Sequence, residues 1–272
     1  MSHSPTLAFI GAGNMASAII GGCITQGMPP HTLLAIDPSA EQRQRIANDF
    51  GVHTAAPGAA ALAGCETVVW AVKPQVFKSV VEETRTQLSA SALHVSVAAG
   101  VSSQSLSTWL GTERIVRAMP NTPALVGQGA TGLFARSGVD QSARQAVHDM
   151  LAPTGLVLWV EQEEDLEAVT AVSGSGPAYF FYMMELMADA GERMGLPRAV
   201  AEQLAIATCK GAGSLASDSA DGPAVLRERV TSKGGATFEA LEVMRRRDLG
   251  GLMDEAMRAC AARARDMGQL FG

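Results

Sequence analysis

The sequence predicts an α/β fold in two parts: an N-terminal Rossmann-type domain on a parallel sheet, then an all-helical C-terminal dimerisation domain. Three observations carry this. Short apolar runs alternate with helical stretches through the first part of the chain. The first of these runs ends in Gly11-Ala12-Gly13-Asn14-Met15-Ala16. Beyond an acidic cluster, Glu161-Gln162-Glu163-Glu164-Asp165, strand patterns stop and only helical ones continue. The domains are therefore set at 1–164 and 165–272.

Taken in order, Thr6–Ile10 reads as a buried strand and Asn14–Gln26 as the helix after it. Leu33–Ile36 is the second strand, and Ala40–Phe50 a helix with an Arg/Gln/Glu outer face. Thr67–Ala71 is a strand, followed by a helix from Gln75 to Leu88. Leu93–Val97 and Ile115–Met119 are further strands, with Leu156–Val160 the last. The acidic cluster reads as a solvated turn and the negatively charged first turn of a helix, where the helix dipole favours carboxylates. After it, Leu166–Met194, Pro197–Leu215, Pro223–Val230, Thr237–Arg247 and Leu252–Leu270 all read as helices. Ala178–Met184 is apolar nearly all round, and a helix of that kind must be covered on every side. A core position in a monomer would cover it; a partner subunit does so more easily, which points to a homodimer.

Composition excludes several function classes. A net charge of −6 offers no basic face for nucleic acid. Cys23, Cys65, Cys209 and Cys260 are scattered, with no CxxC pair and no metal-ligand spacing, so no metal is expected. Dispersed thiols fit the reducing cytoplasm. The N-terminal residues show no signal-peptide pattern, and no apolar run reaches the roughly 18 residues of a membrane span.

The chemistry begins at the glycine turn. Gly11 permits a tight bend, Gly13 lets the backbone approach a pyrophosphate, and small Ala16 lets helix and strand pack closely. Asp37 ends the second strand, roughly 25 residues on, where a carboxylate binds ribose hydroxyls and repels a 2′-phosphate. Ser39, Arg43 and Arg45 follow and are placed to receive that phosphate if Asp37 turns away. Asp37 also has the chemistry of a helix cap, so the choice between NAD and NADP stays open here. Ala71-Val72-Lys73-Pro74 and Val97-Ala98-Ala99 lie at carboxyl ends of strands, where open α/β sheets bind ligands. Lys73 is either a surface lysine or faces phosphate or substrate. The prolines around Asn121 in Met119-Pro120-Asn121-Thr122-Pro123 make a rigid turn, suited to a place near the nicotinamide or to a plain connection.

In the helical domain, Ser232-Lys233-Gly234-Gly235-Ala236-Thr237 places main-chain N–H groups ahead of a new helix. Such a start either binds a small carboxylate, with hydroxyls from Ser232 and Thr237, or is an ordinary interhelical turn. No histidine lies in the helical domain and none has a catalytic pattern. Ketone reduction wants a nearby acid, whereas a protonated imine is already an electrophile. Hydroxyls and amides thus suit imine reduction.

These residues together resemble the pyrroline-5-carboxylate reductase family over nearly the whole chain. The resemblance rests on Phe9–Ala16, Ala71–Gln75, Met119–Pro123, Ser173-Gly174-Ser175-Gly176-Pro177-Ala178-Tyr179-Phe180 and Thr231–Leu241. It implies reduction of L-1-pyrroline-5-carboxylate to L-proline by NADPH or NADH, the final step of proline biosynthesis. It implies a cofactor site lined by Ile10, Gly11, Ala12, Gly13, Asn14, Met15, Asp37, Pro38, Ser39, Ala71, Val72, Lys73, Pro74, Val97, Ala98, Ala99 and Asn121. It implies a small cyclic imino acid held by Ser232, Gly234, Gly235, Ala236 and Thr237, with the Thr237 hydroxyl near the ring nitrogen as the catalytic contact. It further implies a dimer of interlocked helices, a site between the cofactor domain of one subunit and the shared helical bundle, and larger rings of dimers.

Two departures stand out. Ala55-Ala56-Pro57-Gly58-Ala59 lacks the asparagine that family members often carry there, and Lys233 stands where proline or asparagine is common. The rival β-hydroxyacid dehydrogenases place a catalytic lysine after a glycine-rich helix start, but Ser173–Leu186 holds neither lysine nor asparagine. A nucleotide-sensing regulator on the same fold would not need the Ser232–Thr237 pocket.

Overall fold

The computed structural model describes residues 5–271. β1 (Leu7–Ile10) enters α1 (Asn14–Thr25), and β2 (Leu33–Ile36) enters α2 (Ala40–Phe50). β3 (His53–Ala55), β4 (Thr67–Trp70), α3 (Pro74–Thr84), β5 (Leu93–Ser96), α4 (Ser103–Leu110) and β6 (Ile115–Met119) follow. β7 (Gly129–Ala135), α5 (Gln141–Leu151) and β8 (Gly155–Trp159) complete an eight-stranded sheet of order β3-β2-β1-β4-β5-β6-β7-β8. Every neighbouring pair is parallel except β6 with β7. The order reverses between β1 and β4, which is the switch point where doubly wound sheets bind ligands.

Both faces of the central strands β1, β2, β4 and β5 are buried, as parallel strands require. Leu7 and Phe9 of β1 point into a layer with Ile19, Ile20 and Leu151. Ala8 and Ile10 point the other way, toward Trp70, Phe77 and Leu106. This period-2 division explains why β1 has no polar position.

Four elements escaped the sequence reading, each for a local reason. β3 is three residues long and only partly buried. α4 is rich in Ser and Gln, yet Ser102 caps it by accepting from Ser105 N–H. β7 carries Gly129 and Gly132, which argue against a strand; a Cβ at Gly132 would stand 2.7 Å from Val169 Cγ1. α5 is capped by Asp140, which accepts from Ala143 N–H at 2.8 Å.

The acidic cluster needs one correction. Glu161 and Glu164 are exposed and Asp165 opens a helix, as expected, but Glu163 is half-buried. Its carboxylate accepts from the Ser103 backbone N–H at 2.6 Å, from the Ser103 hydroxyl, and from Arg117 Nη1 at 2.7 Å. Burial pushes its carboxyl up, but the Ser103 bonds and the Arg117 charge outweigh that and hold it below the ordinary range. Long-range pairing of this kind leaves no local sequence signal.

The helices that follow are α6 (Asp165–Val169), a π turn (Thr170–Gly174), α7 (Gly176–Arg193), α8 (Arg198–Asp218), α9 (Pro223–Arg229), α10 (Ala236–Arg246) and α11 (Leu249–Phe271). By internal contact the chain forms two units. One runs to Ser175 and resumes at Cys260; the other is Gly176–Ala259. Within the second unit only Gly176, Ala188, Gly191, Ala201 and Ala205 are buried. A helical unit with no large apolar side chain inside has no core of its own.

In the sheet, Trp70 Nε1 donates to His94 Nδ1 at 3.2 Å, which keeps the buried imidazole neutral. Burial, with the Arg114 charge, lowers the His94 pKa to about 4. The unfolded chain therefore binds a proton that the folded one refuses between pH 6.5 and 4. The His94 contribution is intact above pH 6.5 and is lost as pH falls, by roughly 3 kcal/mol at the acid end. Urea unfolding at fixed protein concentration should show His94→Gln losing less stability than the native chain between pH 7 and 4.5. Parallel pH profiles would contradict this.

Candidate functional site

The carboxyl ends of β1, β2, β4 and β5 build a cradle around the glycine turn. Gly11 N–H donates to Ile36 O at 2.7 Å, tying the turn to β2. Its φ of +97° suits glycine, and a Cβ there would stand 2.5 Å from Ala71 O. Gly13 differs. It is the N-cap of α1 in extended backbone, and a Cβ there would meet nothing within 4 Å. No side chain among the described residues caps α1, so the first-turn N–H groups of Asn14 and Met15 stay open beside Gly13. Ala16 is fully buried beneath them. An unfilled space at an uncapped helix start fits a pyrophosphate.

Asp37 closes the cradle from β2. Its Oδ2 accepts from Ala12 N–H and its Oδ1 from Ser39 N–H, both at 2.9 Å. The α2 cap is Ser39, whose hydroxyl accepts from Gln42 N–H at 3.3 Å. The cap role weighed for Asp37 therefore falls to Ser39. Arg43 Nη1 donates to Asp37 O at 2.7 Å and Pro38 O at 3.0 Å, while Arg45 Nη2 donates to Ala12 O at 3.1 Å. A carboxylate and a guanidinium thus stand together where an adenosine ribose would lie.

Ala71 N–H donates to Ile10 O at 2.8 Å, and Val97 N–H to Trp70 O at 3.1 Å, so both loops start at the height of the glycine turn. Ala98 N–H donates to the Ser96 hydroxyl at 3.3 Å. Pro74 opens α3, and Lys73 before it is exposed.

Asn121, expected near the nicotinamide, is tied into the protein by its side chain. It is 8 % exposed, and both ends of its amide are used by the protein. Its Oδ1 accepts from Ala130 N–H at 2.9 Å and its Nδ2 donates to Ser173 O at 3.0 Å. A Cβ on Gly174 would stand 2.8 Å from Met119 Cε. The Met119–Pro123 and Ser173–Ser175 motifs therefore interlock.

In the second unit, α9 ends at Arg229 and α10 begins at Ala236, where the sequence placed the break. Gly234 has φ +72°, and Gly235 N–H donates to Ser232 O at 2.9 Å. Among the described residues no side chain caps α10, so the N–H groups of Ala236, Thr237 and Phe238 are open. Ser232, Lys233, Gly234, Ala236 and Thr237 are exposed and Gly235 half-buried. Thr231 and Lys233 share a cleft with Arg227, Glu228, Phe238 and Arg245, in which Arg227 pairs with Glu228 and Arg245 with Glu242.

Among the described residues, no group of His, Cys, Asp or Glu could hold a metal, and no helix is long and apolar enough to cross a membrane. A cradle of this kind at the switch point of a doubly wound sheet defines an NAD(P)-dependent oxidoreductase. Residues 6–100 match the family described as "NADP oxidoreductase coenzyme F420-dependent". Residues 163–267 match "Pyrroline-5-carboxylate reductase dimerisation", which supports a homodimer and accounts for a helical unit without a core. The chain is 43% identical to the pyrroline-5-carboxylate reductase of Pseudomonas aeruginosa, covering 99% of each. It is 36% identical to that of Arabidopsis thaliana, over 98% of this chain and 97% of the relative. The solved reductase of Coxiella burnetii aligns with a TM-score of 0.91 at 38% identity, over 97% of this chain and 99% of that one. The Plasmodium falciparum enzyme with NADP bound aligns at 0.84 and 28% identity, over 98% and 99%. The chain belongs to the pyrroline-5-carboxylate reductase family.

Gly13 separates binding from folding. Gly13→Ala places a Cβ that meets no protein atom within 4 Å, so the thermal midpoint without cofactor should stay within a few degrees of the native value. NADPH affinity, read by nicotinamide fluorescence, should fall roughly a hundredfold, about 2.7 kcal/mol. Unchanged affinity would show that the dinucleotide does not use this turn.

Proposed function

We propose that this protein reduces L-1-pyrroline-5-carboxylate to L-proline, the final step of proline biosynthesis. Full-length likeness to named reductases, together with the open helix start of α10, supports this reading. NADPH or NADH, when bound, supplies the hydride. The α1 first turn and Gly13 hold the pyrophosphate, while Ile10, Ala71–Pro74 and Val97–Ala99 line the rest of the cofactor. Asp37 offers ribose hydroxyls an acceptor; Ser39 and Arg43 offer a 2′-phosphate a hydroxyl and a charge.

The N–H groups of Ala236, Thr237 and Phe238 seat the substrate carboxylate, aided by the partial positive charge of a helix N-terminus. Ser232 adds a hydroxyl, and Lys233 adds a full positive charge beside the loop. The Thr237 hydroxyl meets the ring nitrogen and orients the imine. Since a protonated imine needs only hydride at carbon, no strong acid is required there. The histidines accord with this, because buried His94 is spent on Trp70. The resemblance supports assembly of the dimers into a larger ring. Four free cysteines favour a cytoplasmic setting, and the acidic balance gives no reason to invoke nucleic acid.

Purified protein mixed with pyrroline-5-carboxylate and NADPH or NADH should oxidise the nicotinamide, followed by loss of its absorbance. No oxidation with either cofactor would refute the reading, and the faster one reports which of Asp37 and Arg43 governs the ribose. Thr237→Ala should slow turnover by about ten- to a hundredfold, as loss of one positioned hydrogen bond does, while cofactor affinity holds. A large loss of cofactor affinity instead would show that Thr237 belongs to the dinucleotide site.

A further inference from the structure

Ala12 is held at both ends of its backbone by the second βα unit. Its N–H donates to Asp37 Oδ2 at 2.9 Å, and its carbonyl oxygen accepts from Arg45 Nη2, on α2, at 3.1 Å. The same Nη2 donates to the Ser17 hydroxyl at 3.3 Å. That hydroxyl donates in turn to Gly13 O at 3.0 Å. Arg45 Nε donates to Gln42 Oε1 at 3.0 Å, which fixes the plane of the guanidinium. Arg45 is half-buried and Ser17, on α1, is buried, so these bonds are largely shielded from water.

Two consecutive carbonyls of the glycine turn, Ala12 O and Gly13 O, are therefore tied to one relay of Arg45 and Ser17. A trans peptide is planar and points its N–H opposite to its C=O. Holding Ala12 O toward Arg45 thus aims Gly13 N–H the other way, and holding Gly13 O toward Ser17 does the same for Asn14 N–H. Gly13 has particular need of such a hold, because a residue without a Cβ is free to adopt many backbone conformations. Arg45 is also spent. Its hydrogen bonds go to Ala12, Ser17 and Gln42, so it is not the free cation that a 2′-phosphate seeks.

We propose that Arg45 is a positioning residue for the dinucleotide: through Ala12 O and Ser17 it sets the direction of the Gly13 and Asn14 N–H groups, and it takes no part in telling NADPH from NADH. This rests on the reading that the pyrophosphate sits at the start of α1. The two cofactors share that pyrophosphate and differ only at the adenosine ribose. A residue that acts on the turn therefore affects both by the same factor, whereas a ligand of the 2′-phosphate affects NADPH alone.

Arg45→Met tests this, since it keeps an apolar stem and removes every donor. Titrations of the full chain, read by nicotinamide fluorescence, should show the dissociation constants of NADPH and NADH both rising about tenfold, as loss of a charge-assisted hydrogen bond predicts. A loss confined to NADPH would make Arg45 a ligand of the 2′-phosphate and overturn the proposal, as would unchanged affinity for both. A merely structural role would reduce the number of binding sites per chain and leave the remaining sites with the native dissociation constant, which would overturn it too. Should Arg45→Met fail to fold, Ser17→Ala breaks the relay more gently and should raise both constants by about threefold; unchanged constants would overturn the proposal. Where both variants fold, their combined loss should fall short of the product of the single losses, because they share one relay. Losses that multiply would show two separate roles and overturn the relay. A native chain that binds neither cofactor would refute the dinucleotide reading itself, whereas native binding with unaltered variants would refute only the role of Arg45.

Discussion

The close approach of Gly11 to Ala71 sets the geometry on which the rest of the cofactor domain depends. β1 is clasped between β2 and β4, and the chain must turn at its end without a side chain in the way. Any L-residue at position 11 meets a positive φ and a carbonyl oxygen 2.5 Å from its Cβ. With glycine there, α1 starts at the height of the strand ends. Its first N–H groups then face the same space as the loops after β4 and β5. Asp37 reinforces this by accepting from Ala12 N–H, so the second strand holds the turn from the other side.

A second constraint lies in the helical unit. Its buried positions are glycine and alanine, which let α7 and α8 approach closely; a Cβ on Gly191 would stand 3.0 Å from the Ala201 Cβ. Close backbone packing leaves Phe180, Phe181, Tyr182 and Leu204 outside. Such a unit holds its shape by association, and self-association and folding therefore share one set of side chains.

Much of this was legible in the sequence, and the parts that were not share a physical cause. Strands buried on both faces, such as Leu33–Ile36, announce themselves by unbroken apolar runs. The glycine turn and the Gly234-Gly235 break are readable because backbone geometry demands particular residues. β7 is hidden because its glycines answer to Val169 and to the carbonyl oxygen of Thr154, both distant in sequence. Glu163 reads locally as a solvated carboxylate because Ser103 and Arg117, which claim it, lie 60 and 46 residues away. The side-chain partners of Asn121, Ala130 and Ser173, come from β7 and the π turn, and no local pattern around Asn121 announces them. Local chemistry shows what a residue is able to do, and tertiary contacts decide which of those roles it takes.

The turn from Gly11 to Ala16, fixed by Gly11 against Ala71, is the seat we propose for the dinucleotide. A crystal structure of the protein grown with NADPH tests it most directly. Pyrophosphate oxygens should lie within about 3 Å of the first-turn N–H groups of α1, over Gly13, with the adenosine ribose beside Asp37. A dinucleotide bound elsewhere, with the start of α1 left to solvent, would contradict it.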